Sequence, residues 1–362
     1  MKYRITVSLL ALVLILAGAS PVFAAADMSA ALDYLQTQQN ADGGFGSGFS
    51  PGSTVASTAD AVLAILAAGG DPADFGQDGN TPLSYLAAQA GSIAASGDMA
   101  KLIMAAVAAG QNPREFGGVD SVARLEGTIG PGGRIGTEND TFVSHLLGVL
   151  ALGSVQRPIP EAAVTYIEEG QQENGGWAWD GTAETAADTN TTAFAVQALA
   201  AAGQTGEGAA ISSAMQYYQS IQNEDGGWPY QNPSDFGTDT DANSTALAIQ
   251  AILAAGQDPA DWTAESGQDP IAALESFQNE SGAFAWQVAV PDDNLLATVQ
   301  ALPALASEAL PLATMEVGAA TAAAAQPTTM PQTGGAALGL ALPLVLSGLA
   351  LAAGGFALRR RA

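Results

Sequence analysis

Apolar positions recur at three- and four-residue spacing along most of residues 27–306. Leu32 and Leu35 show the pattern near the start, and Tyr217 and Ile221 show it further along. Because residues three and four apart share one helix face, this spacing predicts α-helices with a buried side. No segment alternates apolar and polar residues over many positions, as a half-buried strand would. The core is therefore predicted to be all-α.

A similar turn follows the first helix of each predicted pair. The clear copies combine Gln or Asn, two small residues and an aromatic side chain, and they lie at 38–45, 171–177, 222–228 and 278–284. A weaker copy lies at 130–135, and a decayed one is expected near 89–97. Internal repeats of this length indicate a stack of identical supersecondary units.

Each unit has readable start and stop signals. Glycine at the turn accepts the left-handed conformation that ends the first helix. The second helix is expected to begin behind polar caps such as Asp188 and Asp241. Six helix pairs give about twelve helices, which can close into an inner and an outer ring. This predicts an α6/α6 toroid over residues 27–306; an open helical solenoid is the alternative.

The N-terminal end has the composition of an export signal. Lys2 and Arg4 precede an apolar run, and Ala24 offers a small residue for cleavage. Residues 1–26 are therefore predicted to be a secretory signal peptide, with an uncleaved membrane anchor as the alternative.

The C-terminal end combines a short motif, an apolar stretch at 335–358 and a basic tail at 359–362. The stretch is long enough to cross a bilayer core of ~30 Å, which predicts a transmembrane helix. The motif at 330–334 resembles a sortase sorting signal of the Leu-Pro-x-Thr-Gly type. It is carried by Met330, Pro331, Thr333 and Gly334. This resemblance implies cleavage after Thr333 and attachment to the cell envelope. A plain membrane anchor is the alternative.

A low-complexity segment separates the repeats from this motif. Residues 307–329 are rich in alanine and contain no aromatic side chain, which predicts a stalk without a core of its own. Together, the two ends predict an exported protein anchored at the cell surface or cell wall, with its C-terminal helix in the plasma membrane before sorting. The expected partners are a sortase-like transpeptidase, the envelope and the membrane.

Charge and composition exclude several activities. The chain carries 36 acidic and 10 basic residues, a net charge of −26, and no cysteine. Such an acidic surface repels phosphate backbones, so nucleic acid is not an expected partner. The absence of cysteine excludes disulfides, thiolate zinc sites and cysteine nucleophiles. The single histidine, His145, lies in an apolar run and is predicted to be a packed residue.

The Gly-Gly-Trp turns at 171–177 and 222–228 resemble the glutamine–tryptophan repeats of the prenyltransferase and squalene-cyclase α/α toroid superfamily. The likeness covers about residues 27–306 and implies the α6/α6 toroid fold. This superfamily includes triterpene cyclases, protein prenyltransferase subunits, complement thioester domains and cobalamin carriers. The thioester and prenyltransferase activities need a cysteine, which this chain lacks.

The cyclase motif of that superfamily, Asp-x-Asp-Asp-Thr-Ala, matches two positions here. They begin at Asp188 and Asp241, and the residue that donates the proton in cyclases is replaced by Asn190 and Asn243. An amide is not a general acid near neutral pH. The sequence therefore favours a protein without cyclase activity over an enzyme.

Two groups of side chains are candidate sites. Aromatic residues after the turns, with Asp188 and Asp241, are predicted to bind a ligand: Trp177, Trp179, Trp228, Tyr230 and Trp286. The alternative is that these aromatics lock neighbouring repeats together. Asp239, Asp241 and Asn243 have the opening spacing of a calcium loop, and helix capping is the alternative. No cofactor other than calcium is expected.

The sequence therefore predicts an envelope-anchored toroid that binds an unknown small ligand or surface partner, or acts in surface display, without catalysis. Two alternatives stay open. One is a terpene-cyclase-like or glycan-active enzyme, and the other is a corrinoid-carrier-like binding protein.

Overall fold

Twelve helices form an inner and an outer ring in the computed structural model, which describes residues 25–48, 50–76, 78–235 and 237–319. The inner helices are α2 (Val55–Ala67), α4 (Ser96–Ala108), α6 (Phe142–Ser154), α8 (Thr189–Ala201), α10 (Ala242–Ala254) and α12 (Leu295–Leu305). The outer helices are α1 (Met28–Gln38), α3 (Pro82–Gln89), α5 (Ser121–Glu126), α7 (Glu161–Glu169), α9 (Ala209–Ile221) and α11 (Pro270–Glu275). The inner helices are buried on nearly all sides, whereas the outer ones keep an exposed face.

The ring is closed. Each inner helix contacts the next one in order, and α12 contacts α2. The first and last repeats are also joined by hydrogen bonds: Asp27 N donates to Gln278 Oε1 (2.7 Å), and Gln278 Nε2 donates to Asp27 O (2.9 Å). The prediction of a helical toroid is confirmed, and the open solenoid is excluded.

The glutamine of each clear turn joins two repeats. Gln222 Nε2 donates to Gly226 O in its own turn (2.8 Å) and to Trp262 O, ahead of the next outer helix (2.9 Å). Gln171 and Gln278 make the corresponding pairs of bonds. One side-chain amide thus satisfies two backbone carbonyls that would otherwise be costly to bury.

The turn glycines allow neighbouring repeats to approach at backbone distance. Gly175 has a φ of +89°, and a Cβ at this position would lie 2.2 Å from Ser213 O of the next outer helix. A side chain is therefore excluded by both conformation and space. This explains why the Gly-Gly pair recurs in the sequence.

A threonine in the inner helix fixes the aromatic residue after each clear turn. Thr192 Oγ1 accepts the N–H of Trp177, and Thr245 Oγ1 accepts that of Trp228, both at 3.0 Å. Both tryptophans are fully buried. Their Nε1 atoms donate to carbonyls of the preceding outer helices, at 2.7 and 2.9 Å respectively.

The prediction of an all-α core needs one addition. Strands β1 (Phe284–Gln287) and β2 (Val290–Asn294) form a short antiparallel hairpin. In other repeats, the residue after the turn and the helix cap are joined by a single β-bridge, as between Trp177 and Asp188. In the last repeat, this pairing extends into the β1–β2 hairpin. The hairpin is too short to produce a recognisable alternation of apolar and polar residues in the sequence.

The predicted stalk does not begin at residue 307. Leu310 N donates to Gln197 Oε1 (2.8 Å), Met315 N to Ser154 O (2.7 Å) and Val317 N to Val155 O (3.3 Å). Residues 307–318 therefore lie against the toroid, where Val317 is buried in the apolar core and Leu310 and Met315 pack against it. Their leucines and methionine supply the apolar surface that the alanine-rich part lacks.

The helices of the described residues include none that is long and apolar enough to cross a membrane. The predicted transmembrane helix at 335–358, the motif at 330–334 and the basic tail lie outside the described residues, as does most of the predicted signal peptide. The described residues belong to one compact unit.

Candidate functional site

A pocket of about 300 Å³ lies at the N-terminal ends of α8, α10 and α12. Its wall combines aromatic, aliphatic, amide and carboxyl groups from the first, fourth, fifth and sixth repeats. The lining residues are Ser47, Gly48, Asn190, Tyr230, Asp241, Asn243, Ser244, Trp286, Asn294, Leu296 and Gln300. The volume is at the lower end of the ~300–1,000 Å³ typical of small-molecule sites.

Asp241 is the acidic group in the wall of the pocket. It is the N-cap of α10: Oδ1 accepts the N–H of Ser244 (2.7 Å) and Oδ2 accepts the Ser244 hydroxyl (2.9 Å). Only 2% of the residue is exposed, and this burial raises the pKa of Asp241 to about 6. The hydrogen bonds from Ser244 lower the pKa and offset part of that rise. Burial therefore favours the protonated form of Asp241 more than that of an exposed carboxyl group.

Asp188 has the same role one repeat earlier. It caps α8 by accepting the N–H of Thr191 (2.7 Å), and burial raises its pKa to about 6. Tyr230 is close to both acids: burial, Asp188 and then Asp241 raise the pKa of Tyr230 to about 12. The backbone holds this arrangement, since Thr189 N donates to Tyr230 O (2.8 Å). Asp188 does not itself line the pocket.

Amide side chains form the inner edge of the pocket. Asn243 Nδ2 donates to Gln300 Oε1 (2.8 Å), which links α10 to α12. Asn190 contributes a buried Oδ1 atom for which the described residues provide no hydrogen-bond donor.

The centre of the ring below the pocket is largely filled. The sixth residue of five inner helices faces a small void of about 40 Å³: Asp60, Lys101, Phe194, Leu247 and Gln300. Lys101 Nζ and Asp60 Oδ2 form an ion pair of 2.6 Å there. Leu310 of the C-terminal segment also lines this void. The pocket thus has a floor and does not continue as an open channel.

The structure separates the predicted ligand-binding aromatics into two groups. Tyr230 and Trp286 line the pocket, and both are partly exposed, at 44% and 41%. Trp177 and Trp228 do not line it, because both are fully buried in the contact between turn and helix. Trp179 is 51% exposed but lies outside the pocket lining. The alternative, that aromatics lock the repeats, describes Trp177 and Trp228.

The predicted calcium loop is not gathered around one point. Asp239 is exposed in the loop, Asp241 is a buried helix cap, and the amide of Asn243 points to Gln300. Among the described residues, no group of three or more Asp, Glu, His or Cys side chains could hold a metal ion. Asp293, a further acid of the sixth repeat, accepts hydrogen bonds from Asn279 and Ser281.

His145 is a packed residue that takes, in its own repeat, the role that threonine has in the clear repeats. Its Nδ1 accepts the N–H of Ile135 (2.9 Å), and Nε2 lies 3.1 Å from Ala163 O. The side chain is fully buried, and its ring meets Tyr166 edge to face. Burial lowers the pKa of His145 to about 4, so the imidazole is neutral.

Comparison with protein families identifies the repeats. The squalene-hopene cyclase C-terminal domain matches residues 137–290, and the prenyltransferase alpha-alpha toroid domain matches residues 3–99. The two matched stretches are similar to these domains, and neither match spans half of the chain. A search of curated protein sequences gave no match.

Solved structures share the toroid fold. The type II terpene cyclase MstE from Scytonema, without ligand, is 16% identical, covers 77% of this chain and 96% of its own, and has a TM-score of 0.55. A variant of MstE in complex with geranylgeranyl dihydroxybenzoate is 15% identical, covers 77% and 95%, and has a TM-score of 0.56. A protein from Actinoplanes is 14% identical, covers 77% and 98%, and has a TM-score of 0.53. At these identities the similarity shows the fold alone.

Sequence reasoning missed the pocket residues contributed by the two ends of the ring. Ser47 and Gly48 come from the first repeat, and Leu296 and Gln300 come from the last. Ring closure brings Ser47 and Gly48 to the pocket from about 190 residues before Asp241, whereas Leu296 and Gln300 come from the repeat that follows it. The sequence signal for this part of the pocket was Gln300, a polar residue at the sixth position of a buried helix.

Proposed function

We propose that the toroid is a terpene-cyclase-like enzyme that binds an isoprenoid-type ligand and uses Asp241 as the acid. The carrying observation is that Asp241, a buried carboxyl group with a pKa raised to about 6, lines the pocket. Cyclisation of this kind begins when an acid protonates an alkene or epoxide. A carboxyl group held partly protonated by burial meets this requirement.

The neighbours of Asp241 suit the next stage of such a reaction. Tyr230 and Trp286 face the same space, and aromatic rings stabilise positive charge near their faces. Leu296 adds apolar surface for a hydrocarbon chain. The similarity to squalene-hopene cyclase domains and to the fold of a type II terpene cyclase supports this proposal.

Turnover tests the proposal. The full chain is incubated with squalene and with geranylgeranyl dihydroxybenzoate, the substrate found with MstE, and products are separated by mass-detected chromatography. We expect a cyclic isomer from at least one isoprenoid and a loss of at least 100-fold in Asp241→Asn. The matched control is Glu207→Gln, which removes one exposed acid outside the pocket. Equal turnover by wild type and Asp241→Asn would reject Asp241 as the acid.

A non-catalytic binding module is the second candidate function. It is favoured by Asn243, an amide at the position where the cyclase motif has its proton donor. This candidate predicts stoichiometric ligand binding in the same pocket without any product. Restoring the motif with Asn243→Asp separates the two: a gain of turnover from zero would indicate a toroid that has lost catalysis.

We also propose that the chain is exported and attached to the cell envelope through its C-terminal end. This proposal rests on the sequence of residues 1–26 and 330–362 alone. In the producing organism, Thr333→Ala should leave a longer, membrane-extracted form, whereas wild type should be released only by cell-wall digestion. Unchanged processing of Thr333→Ala would contradict sortase attachment.

A further inference from the structure

The exposed large apolar side chains of the described residues all lie on one set of loops, between a turn and the inner helix that follows it. They are Trp179, Tyr230, Trp286, Val288 and Val290. Each of the three aromatic residues is the second residue after the buried aromatic of its turn, in the fourth, fifth and sixth repeats. The equivalent positions of the first and third repeats hold Ser47 and Thr137. The exposed aromatics are therefore confined to three successive repeats of the ring.

Hydrogen bonds join these three loops in succession. Gln231 Nε2 donates to Ala186 O in the loop of the fourth repeat (3.1 Å). Gln287 Nε2 donates to Asp239 O in the loop of the fifth repeat (3.4 Å). Because packed helices lie about 8–10 Å apart, three successive repeats present a row of about 16–20 Å. An extended peptide of about six residues has this length.

The same side of the ring has carboxylates and no base. Residues 158–319, which contain all three loops, include 23 Asp and Glu residues and no Lys, Arg or His. Glu184, Asp239 and Asp292 are exposed on the loops, and the four ion pairs found among the described residues do not include them. Such a surface attracts cations and repels phosphate-bearing partners, including anionic lipids.

The carboxylates distinguish between two kinds of partner that exposed aromatic rings can bind. A neutral glycan would contact the flat faces of the rings and would gain nothing from the surrounding negative charge. A Lys or Arg side chain is attracted both to the face of an aromatic ring and to carboxylates beside it. The combination of rings and acids therefore favours a cationic partner.

We propose that these loops bind a basic segment of another protein, whose Lys or Arg side chains lie over Trp179, Tyr230 and Trp286. Tryptophan and tyrosine are among the residues that most often carry the energy of protein interfaces. The exposed carboxylates steer the basic segment to the aromatic row. This site goes beyond the proposed function, since Trp179 lies outside the pocket and binding requires no reaction in it.

Three labelled hexapeptides test the proposal by fluorescence anisotropy with the full chain. They alternate alanine with arginine, glutamine or glutamate, so they differ only in charge. At an ionic strength of about 0.15 M, attraction by distant charges is largely screened. We expect the arginine peptide to bind at least fivefold more tightly than the glutamine peptide, and the glutamate peptide not to bind. Equal binding of the arginine and glutamine peptides would overturn the proposal.

Trp179→Ala tests the contact between cation and ring. This variant should weaken binding of the arginine peptide about two- to fivefold and binding of the glutamine peptide by less. Unchanged affinity for the arginine peptide would overturn the role of the aromatic row. Cellohexaose, a neutral hexasaccharide, should not displace the arginine peptide. Displacement by cellohexaose would assign the surface to a glycan instead.

Paired charge variants separate a local site from attraction by the net charge of the protein. Glu184→Gln combined with Asp239→Asn should weaken binding of the arginine peptide about threefold. The matched control, Glu161→Gln combined with Glu169→Gln, removes two exposed charges from the outer helix of the fourth repeat and should change binding less than about 1.5-fold. An equal effect of the two pairs would reject the site.

The outcomes are also distinct from those for the pocket. Any conversion of isoprenoids should persist in Trp179→Ala while the affinity for the arginine peptide falls. If the arginine peptide does not bind to wild type, this inference is rejected and the proposed function of the pocket is unaffected.

Discussion

His145 accepts the backbone N–H of Ile135 through Nδ1 at 2.9 Å, at the position where Thr192 and Thr245 perform this role in other repeats. All three residues occupy the fourth position of their inner helix. The imidazole can accept this bond only while Nδ1 is unprotonated. One repeat of the toroid is therefore sensitive to acid through a residue that lies away from the pocket.

The stability contributed by neutral His145 should disappear in acid. Its folded pKa of about 4 lies below the usual 6.5, so the unfolded chain binds the proton first as the pH falls. The contribution is fully present above pH 6.5 and is lost towards pH 4, about 3 kcal/mol in total. We expect the difference in unfolding free energy between wild type and His145→Gln to shrink by that amount across this window. A constant difference in urea titrations would contradict the buried neutral imidazole.

Asp188 and Asp241 should act in the opposite direction. Their folded pKa values of about 6 lie above the usual value, so the folded chain binds these protons first. Each charged carboxylate costs stability above pH 6, and this cost disappears as the pH falls towards 4. Between pH 4 and pH 7, the stability of Asp241→Asn relative to wild type should therefore rise by about 2–3 kcal/mol.

The control for this measurement is Glu207→Gln, an exposed acid for which we expect a difference below about 0.5 kcal/mol at both pH values. If the stability of Asp241→Asn relative to wild type falls between pH 4 and pH 7, the fold stabilises the charged form of Asp241, which is then not suited to donate a proton. The stability measurement thus checks the chemical role of Asp241 without a known substrate.

Two glycines with similar backbone angles should respond differently to alanine. Gly175 (φ +89°) has Ser213 O at 2.2 Å from a new Cβ, whereas Gly203 (φ +90°) has nothing within 4 Å. Gly203→Ala should lower the free energy of unfolding by about 1–2 kcal/mol, because alanine must adopt the left-handed conformation without meeting any other atom. Gly175→Ala should cost at least about 2 kcal/mol more, because the repeats must move apart. Equal unfolding midpoints in urea would show that the turn does not fix the distance between repeats.

The sequence predicted the toroid well because its rules are local and repeated. Gln222, the glycines of the turn and the cap Asp241 recur at similar places in each clear repeat, so their spacing is visible in the chain. The pocket was harder to predict because ring closure brings Gly48 and Gln300 to the same place. The buried positions of Trp177 and Trp228 were also not predictable, since the same Gly-Gly-Trp pattern fits a pocket rim and a packed turn equally well.

The C-terminal segment gives the last prediction. Residues 307–318 donate hydrogen bonds to Gln197, Ser154 and Val155, and Leu310 covers the void beside the Lys101–Asp60 pair. A chain ending at residue 306 would expose this apolar surface and leave those acceptors to water. Since one or two buried aliphatic side chains contribute about 1.5–3 kcal/mol each, we expect a loss of at least about 3 kcal/mol relative to a chain ending at residue 319. Calorimetric melting of the two chains measures it. Identical melting temperatures would restore the predicted boundary at residue 307, whereas the expected loss makes the segment part of the toroid and shortens any stalk that follows it.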